Sequence, residues 1–256
     1  MVILAGAGPG DAELITIKLQ RFLQQADVII SDRLVNPAII EDNKKESALV
    51  IMAGKQGYNN GSFTQEEING LIVQHALEGK LVLRLKGGDV ALFSNMLDEL
   101  YALEKHSIPY QIIPGITAAA GASAYSGIPL TGRGFAQGVQ FLTFNPKSFH
   151  SAELWKLLAN TSDTLVFYMS IKNVTKLAEL LLQYTPKSEL PLALIEQATT
   201  KYQQVHFTTL QNCAADFGDK QFSSPSLVIV GDIVGLKNRF NWFGDNNEVG
   251  SIFREL

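Results

Sequence analysis

Along the first 115 residues, short apolar runs alternate with longer stretches whose apolar positions recur at helical spacing. The runs are Val2–Ala5, Val28–Ser31, Leu49–Ala53, Leu81–Leu85 and Tyr110–Ile113. Between the first two, Leu14, Ile17, Leu19, Phe22 and Leu23 predict a helix over Asp11 to Ala26. Thr64 followed by Glu67 forms a capping box and predicts a helix running to about Glu78. Asn95 to Glu104 predicts another. Short, continuously apolar strands separated by helices form a parallel sheet covered on both faces. After residue 115 the pattern changes. Ala118–Tyr125 is small and helix-prone, and Val174–Leu182 has helical periodicity. Val139–Phe144, Leu165–Met169, Leu192–Ile195, Gln203–Thr208 and Leu227–Val230 predict strands in a mixed or largely antiparallel sheet. The expectation is an α/β protein with an N-terminal domain over 1–115, a C-terminal domain over 116–240 and a tail over 241–256. The last stretch, Lys237–Leu256, mixes Gly, Asn and charge with Phe240, Trp242 and Phe243; it either packs on a neighbour or is poorly ordered.

Three of the predicted strands run into turns of small residues. They are Gly6-Ala7-Gly8-Pro9-Gly10-Asp11, Gly87-Gly88-Asp89 and Pro114-Gly115-Ile116-Thr117-Ala118-Ala119. In an open α/β sheet, ligands bind outside the carboxyl ends of the strands. Glycines there remove the side chains that would hold a ligand off the main chain. The three turns together point to one small-molecule site, with Asp89 and Thr117 as polar contributors. Asp32 and Lys55 lie just past two further strands and are a candidate acid–base pair.

Composition narrows the choices. Apolar residues make up 46% and charged residues 18%, as in ordinary globular proteins. A net charge of −4 and a pI near 5.6 argue against a nucleic-acid or anionic-membrane partner. The single cysteine, Cys213, excludes an internal disulfide and fits a reducing, cytoplasmic setting. No apolar run nears the roughly 20 residues that span a bilayer. His75, His106, His150 and His206 are scattered without metal-ligand spacing, so no metal is expected. Neither a Gly-x-Ser-x-Gly elbow nor a phosphate-binding Gly-Lys-Ser/Thr motif is present. The first turn superficially resembles a dinucleotide fingerprint, with Asp27 or Asp32 as the ribose acid. Asp11 stands where the third glycine belongs and Pro9 stiffens the middle, so NAD-dependent oxidoreduction is a minor alternative.

These motifs, in this order, resemble the tetrapyrrole methylase family over about residues 2 to 243. Further markers are Asp32-Arg33-Leu34-Val35, Gly54-Lys55, Gln65-Glu66-Glu67-Ile68-Asn69, Arg84-Leu85-Lys86, Ser123-Ala124-Tyr125-Ser126-Gly127-Ile128-Pro129-Leu130-Thr131 and Val166-Phe167-Tyr168-Met169. Within the family the chain is most similar to S-adenosylmethionine-dependent uroporphyrinogen-III C-methyltransferases. The final Asn241-Trp242-Phe243 is similar to the end of the methylase part of bifunctional sirohaem synthases. The resemblance implies two α/β domains with the cofactor in the cleft between them, and a homodimer. It implies that Pro9, Gly87, Gly88, Asp89, Leu92, Thr117, Ala118, Met169 and Ala198 line the S-adenosylmethionine pocket. Asp32 and Lys55 occupy the family's proposed acid–base positions. The implied reaction methylates C2 and C7 of uroporphyrinogen III to give precorrin-2. Arg33, Lys55, Lys86 and Arg133 are then natural anchors for a polycarboxylate.

The chain also departs from the family pattern. Val90-Ala91-Leu92-Phe93-Ser94-Asn95 replaces a Pro-containing segment with an arginine near Asn95. Gln56 stands for an arginine, Gly132 for the histidine of Thr-His-Arg, Thr143-Phe144-Asn145 for Thr-Gly-His, and Ala198 for a glycine. Several of these losses fall on the substrate side. An alternative is therefore a divergent paralogue that acts on another tetrapyrrole or binds without turnover.

Overall fold

The computed structural model describes residues 1–53, 63–148, 151–237, 239–244 and 248–253. It divides into two compact units, Met1–Ala118 joined by the chain from Gly250, and Ala119–Val249.

The first unit is a five-stranded parallel sheet of β1 (Val2–Gly6), β2 (Val28–Ser31), β3 (Leu49–Met52), β4 (Val82–Lys86) and β5 (Tyr110–Ile113). Its helices are α1 (Ile17–Leu23), α2 (Pro37–Glu41), α3 (Gln65–Leu77) and α4 (Met96–Lys105). Successive strand residues face opposite sides, which divides the apolar runs between two cores. Ile3, Ala5, Ile29, Leu83 and Leu85 pack with Leu19 and Leu23 of α1 and Ile39 and Ile40 of α2. Val2, Leu4, Val28, Ile30 and Val82 pack with Ile68 and Ile72 of α3 and Leu103 of α4.

The strand order is β3-β2-β4-β1-β5. From β1 and β2 the chain moves toward the β3 edge, through α1 and α2 on one face. From β3 and β4 it moves toward the β5 edge, through α3 and α4 on the other. Right-handed crossovers require this division of faces. Adjacent strands β1 and β4 therefore send their outgoing chains to opposite faces, and the crevice between their carboxyl ends is a topological switch point. The order also corrects the nicotinamide alternative. A dinucleotide-binding half places β1 beside β2, whereas here β4 separates them.

The second unit has β6 (Val139–Thr143), β7 (Thr164–Tyr168), β8 (Pro191–Glu196), β9 (Gln204–Thr209) and β10 (Ser226–Val230), in the order β6-β7-β10-β8-β9. Only β6 and β7 pair in parallel; the other three pairings are antiparallel. The helices are α5 (Ala118–Ser126), α6 (Ala152–Asn160), α7 (Val174–Leu182) and α8 (Cys213–Phe217). Trp155 and Leu158 of α6, Leu177 and Leu181 of α7 and Phe217 of α8 join Phe167, Leu194 and Val228 from the sheet in one buried cluster. The tail is packed in part: the Trp242 indole N–H donates to the Ala124 carbonyl at 2.7 Å, and Tyr125 contacts the rings of Trp242 and Phe243.

Local chemistry explains where the elements differ from the sequence expectation. The helix predicted over Asp11–Ala26 is broken. Asp11 caps a short 3-10 turn over Ala12–Leu14, and the Thr16 hydroxyl accepts from Leu19 N at 3.1 Å to start α1 afresh. α2 was not predicted; Asn36 caps it and Pro37 takes its first turn, where proline's missing N–H costs nothing. α6 was also not predicted, and the Ser151 hydroxyl caps it by accepting from Leu154 N. The predicted capping box is formed: Glu67 N donates to Thr64 Oγ1 at 3.2 Å and Thr64 N to Glu67 Oε2 at 2.6 Å. No helix of the described residues is long and apolar enough to cross a membrane.

Candidate functional site

All five strands of the first sheet run the same way, so the segments after them share one edge. That edge holds Pro9 after β1, Asp32 and Arg33 after β2, Gly87, Gly88 and Asp89 after β4, and Thr117 and Ala118 after β5. Main-chain contacts bind these loops to each other. Gly8 N donates to Gly88 O at 3.1 Å and Gly88 N to Gly8 O at 2.8 Å, which closes a bridge across the β1/β4 switch point. Ala7 N donates to Lys86 O at 2.8 Å, and the Asn36 side-chain amide ties the loop after β2 to Gly10 O at 2.8 Å.

This packing revises the role expected of the glycines. A Cβ on Gly6 would lie 2.5 Å from Gly88 O and 2.7 Å from Gly115 N. On Gly115 it would lie 2.8 Å from Gly6 C, and on Gly87 2.8 Å from Leu34 O. These three residues are bare because neighbouring loops occupy the space. Gly88 is different. Its φ is +67°, and a Cβ there would meet only Ala118 N, at 3.7 Å. Gly88 therefore leaves open space on its Cα side, while its N–H and C=O are both engaged by Gly8. Asp89 is also committed locally: Oδ1 accepts from Ala91 N and Oδ2 from Gly115 N, each at 2.9 Å. It braces the loops after β4 and β5 against each other. Pro9 is buried within its turn, and Leu92 is half-buried.

Asp32 is held by a residue that the sequence reading left aside. The Arg84 guanidinium, buried in β4, donates from Nη2 to Asp32 Oδ1 at 2.5 Å. Its Nη1 donates to the Ile30 and Leu85 carbonyls, and its Nε to Glu99 Oε1 at 2.8 Å. Lys86 Nζ reaches the same Glu99 oxygen at 2.9 Å. This corrects Lys86 as a substrate anchor: its side chain is 4% exposed and its ammonium is paired inside the unit. Burial, and then the neighbouring Arg84 charge, hold its pKa below the usual lysine value. Arg33 is buried and its Nε has no hydrogen-bond partner among the described residues, a donor of the kind that a carboxylate satisfies. Asp27 lies at the opposite, amino end of β2, bonded to Lys45 and to Leu81 N, so it takes no part in this edge. Lys55 lies outside the described residues.

In the second unit β7 and β8 both run antiparallel to β10, so their carboxyl ends share an edge. Met169 follows β7 with φ +52° and is 68% exposed. Ala198 follows β8 and is flanked by Gln197 at φ +45° and Thr199 at φ +69°. Left-handed backbone at three non-glycine residues on one sheet edge is the kind of strain found at ligand sites. Arg133 lies elsewhere in this unit, in an exposed turn closed between Gly132 and Ala136. A surface depression of about 380 Å³ lined by Ile171, Lys172, Phe217 and Phe222 contains none of the predicted residues. Among the described residues, no three His, Cys, Asp or Glu side chains are grouped to hold a metal.

A parallel sheet whose β1/β4 switch point is bridged by main-chain bonds, with open space at Gly88 and with Asp32 held by Arg84 among the strand-end loops, defines the class: an α/β protein of the open-sheet type. The chain belongs to the tetrapyrrole (corrin/porphyrin) methylases, whose family model matches residues 1–214. It is 43% identical over 242 residues to the siroheme synthase of Pseudomonas putida strain W619, covering 94% of this chain and 52% of that protein. The siroheme synthase of Thioalkalivibrio sulfidiphilus is also 43% identical, over 98% of this chain and 52% of the relative. The chain thus spans about half the length of these curated relatives. Among solved structures, the uroporphyrin-III C-methyltransferase of Thermus thermophilus complexed with S-adenosylhomocysteine is 30% identical, with a TM-score of 0.75 over 91% of this chain and 92% of that one.

Proposed function

We propose that this chain transfers methyl groups from S-adenosylmethionine to C2 and C7 of uroporphyrinogen III, giving precorrin-2 in sirohaem or cobalamin synthesis. The observation that carries this reading is the β1/β4 crevice. Its loops are fixed by main-chain contacts, the Cα side of Gly88 stays open, and the family relationship supplies the chemistry. The residues present fit the cofactor. Within the first unit, Gly87, Thr117 and Ala118 would offer main-chain groups and a hydroxyl to its polar parts, and Leu92 and the open Cα side of Gly88 would give it apolar surface. When bound, S-adenosylmethionine supplies a methyl carbon activated by a sulfonium leaving group. The protein's tasks are to hold the reacting carbon near contact distance, exclude water and accept a proton afterwards. We assign the proton to Asp32 and retain Lys55 as its partner. Asp32 is 29% exposed at the strand edge, and Arg84 fixes one of its oxygens. We retain Arg33 as a candidate anchor for a substrate carboxylate, and Arg133, in the second unit, as a separate candidate. A cytoplasmic homodimer belongs to the same reading, and light scattering tests its size.

A second reading, binding without turnover, is favoured by Asn95. It stands where the family has arginine, adopts φ +53°, and spends its amide on Asp98 at 2.6 Å. Melting with ligands sorts the readings from the nicotinamide alternative. S-adenosylhomocysteine at about 100 times its Kd stabilises the protein by about 2.7 kcal/mol, and NAD leaves it unchanged. Gly88→Val, which places a β-branched residue at φ +67°, abolishes the shift. Stabilisation by NAD alone refutes the proposal. Binding of S-adenosylhomocysteine with no methylated product supports the second reading.

A further inference from the structure

We propose that Glu99 and Lys86 are positioning residues that fix Arg84, and through it Asp32, and that their opposite charges set how readily Asp32 takes up a proton. The proposal rests on the assignment of Asp32 as proton acceptor. Four charged groups form one chain: Asp32 after β2, Arg84 and Lys86 on β4, and Glu99 in the first turn of α4. Arg84 and Lys86 are two residues apart, so both project to the face covered by α4. Glu99 is wholly buried. Its Oε1 takes both cations, and its Oε2 has no partner among the described residues. Among the described residues these are the charges that meet in the cluster, and they sum to zero.

Stability alone is a poor reason for this arrangement, because apolar replacements of buried ion clusters are often neutral or stabilising. Its place is more informative. Arg84 lies in the central strand, one turn of chain before Gly87-Gly88, and its guanidinium is held on three sides by Glu99, Ile30 O and Leu85 O. The remaining edge faces Asp32, so that carboxylate is presented at the strand ends in one orientation.

The charges make opposite predictions. Glu99→Gln leaves a net positive cluster that favours ionised Asp32, so the acid limb of the kcat–pH profile moves down by about 0.5–1 unit at low salt. Lys86→Met leaves a net negative cluster, and the limb moves up by a similar amount. The double variant Glu99→Gln/Lys86→Met is neutral again; its limb returns to within about 0.3 unit of the parent's. Its kcat stays about tenfold low because Arg84 has lost its brace, while KM for S-adenosylmethionine changes less than about threefold. A merely structural role moves stability without shifts of opposite sign.

The experiment measures kcat–pH profiles of the three variants and the parent with uroporphyrinogen III. Folding is checked by circular dichroism. Shifts of opposite sign that cancel in the double variant support the proposal. Two single variants that shift together, or not at all, overturn it. If a single variant does not fold, the other decides: a limb moved in its stated direction and restored in the double variant supports the proposal, and an unmoved limb overturns it. A parent that makes no product at any pH overturns the Asp32 assignment and this proposal with it. A productive parent with insensitive variants overturns this proposal alone.

Discussion

β4 and β10 each occupy the middle position of a five-stranded sheet, yet their contents are opposite. β10 reads Ser-Leu-Val-Ile-Val and, from Leu227 onward, is buried among apolar neighbours. β4 reads Val-Leu-Arg-Leu-Lys and carries two buried cations into the centre of its sheet. Burying charge is expensive unless every partner is present, so β4 needs Glu99 and Asp32 whereas β10 needs only good packing. The sheet that accepts this cost is the one whose central strand leads into Gly87-Gly88-Asp89. The difference teaches where rigidity comes from: close apolar packing in the second unit, and a specified network of donors and acceptors at the strand ends of the first.

Substitutions can break this contrast. Arg84→Met strips Asp32 of its ion partner and leaves Glu99 with Lys86 alone, and should cost about 3–5 kcal/mol. Leu177→Ala, in the apolar core under β10, should cost about 2–5 kcal/mol. Urea titration measures both. The sharper distinction is kinetic: folded Leu177→Ala retains parental kcat, whereas Arg84→Met loses turnover even where it is folded. Next in size is Gly115→Ala. Its Cβ would collide with the Gly6 main chain, which should destabilise the protein by about 1–3 kcal/mol and weaken S-adenosylhomocysteine binding, read by calorimetry.

Alkaline pH sharpens the comparison further. In the second unit, burial first and then the Asp216 and Glu179 charges push the Cys213 thiol up to about 11, from 9.0. The folded state keeps that proton longer than the unfolded chain, so its contribution is full below pH 9 and is lost toward pH 11, by about 2 kcal/mol. Lys86 has the opposite sign. Its folded pKa is lowered, so in the window below the usual lysine value the unfolded chain binds more protons and stability rises with pH. Cys213→Ala should flatten the fall and Lys86→Met should remove the rise in stability–pH curves. The smallest effect expected is a gain. Gly70 is exposed inside α3 with nothing within 4 Å of an added Cβ, so Gly70→Ala should stabilise by about 0.5–1 kcal/mol in thermal melts.

The strands and the small-residue loops that follow them were legible in the sequence because parallel strands are continuously apolar and end in small residues. Val28–Ser31, Tyr110–Ile113 and Val174–Leu182 match their predicted limits. The short helices were less visible. α2 spans five residues, too few for periodicity to register, and only Asn36-Pro37 marked it. Ser151 was a readable cap for α6 that went unused. Arg84 and Glu99 were hidden for another reason. Their roles depend on a contact across 15 residues between β4 and α4, and a charged residue in an apolar strand was the one available signal. Loop-to-loop packing at Gly6, Gly87 and Gly115 was equally invisible, since nothing in a lone turn reveals its neighbour.

The central claim is tested most directly by mass spectrometry of the products formed anaerobically from uroporphyrinogen III and methyl-labelled S-adenosylmethionine. The account predicts labelled species carrying one and then two added methyl groups, with the second accumulating. Unmodified uroporphyrinogen III after prolonged incubation with folded, cofactor-binding protein would contradict it.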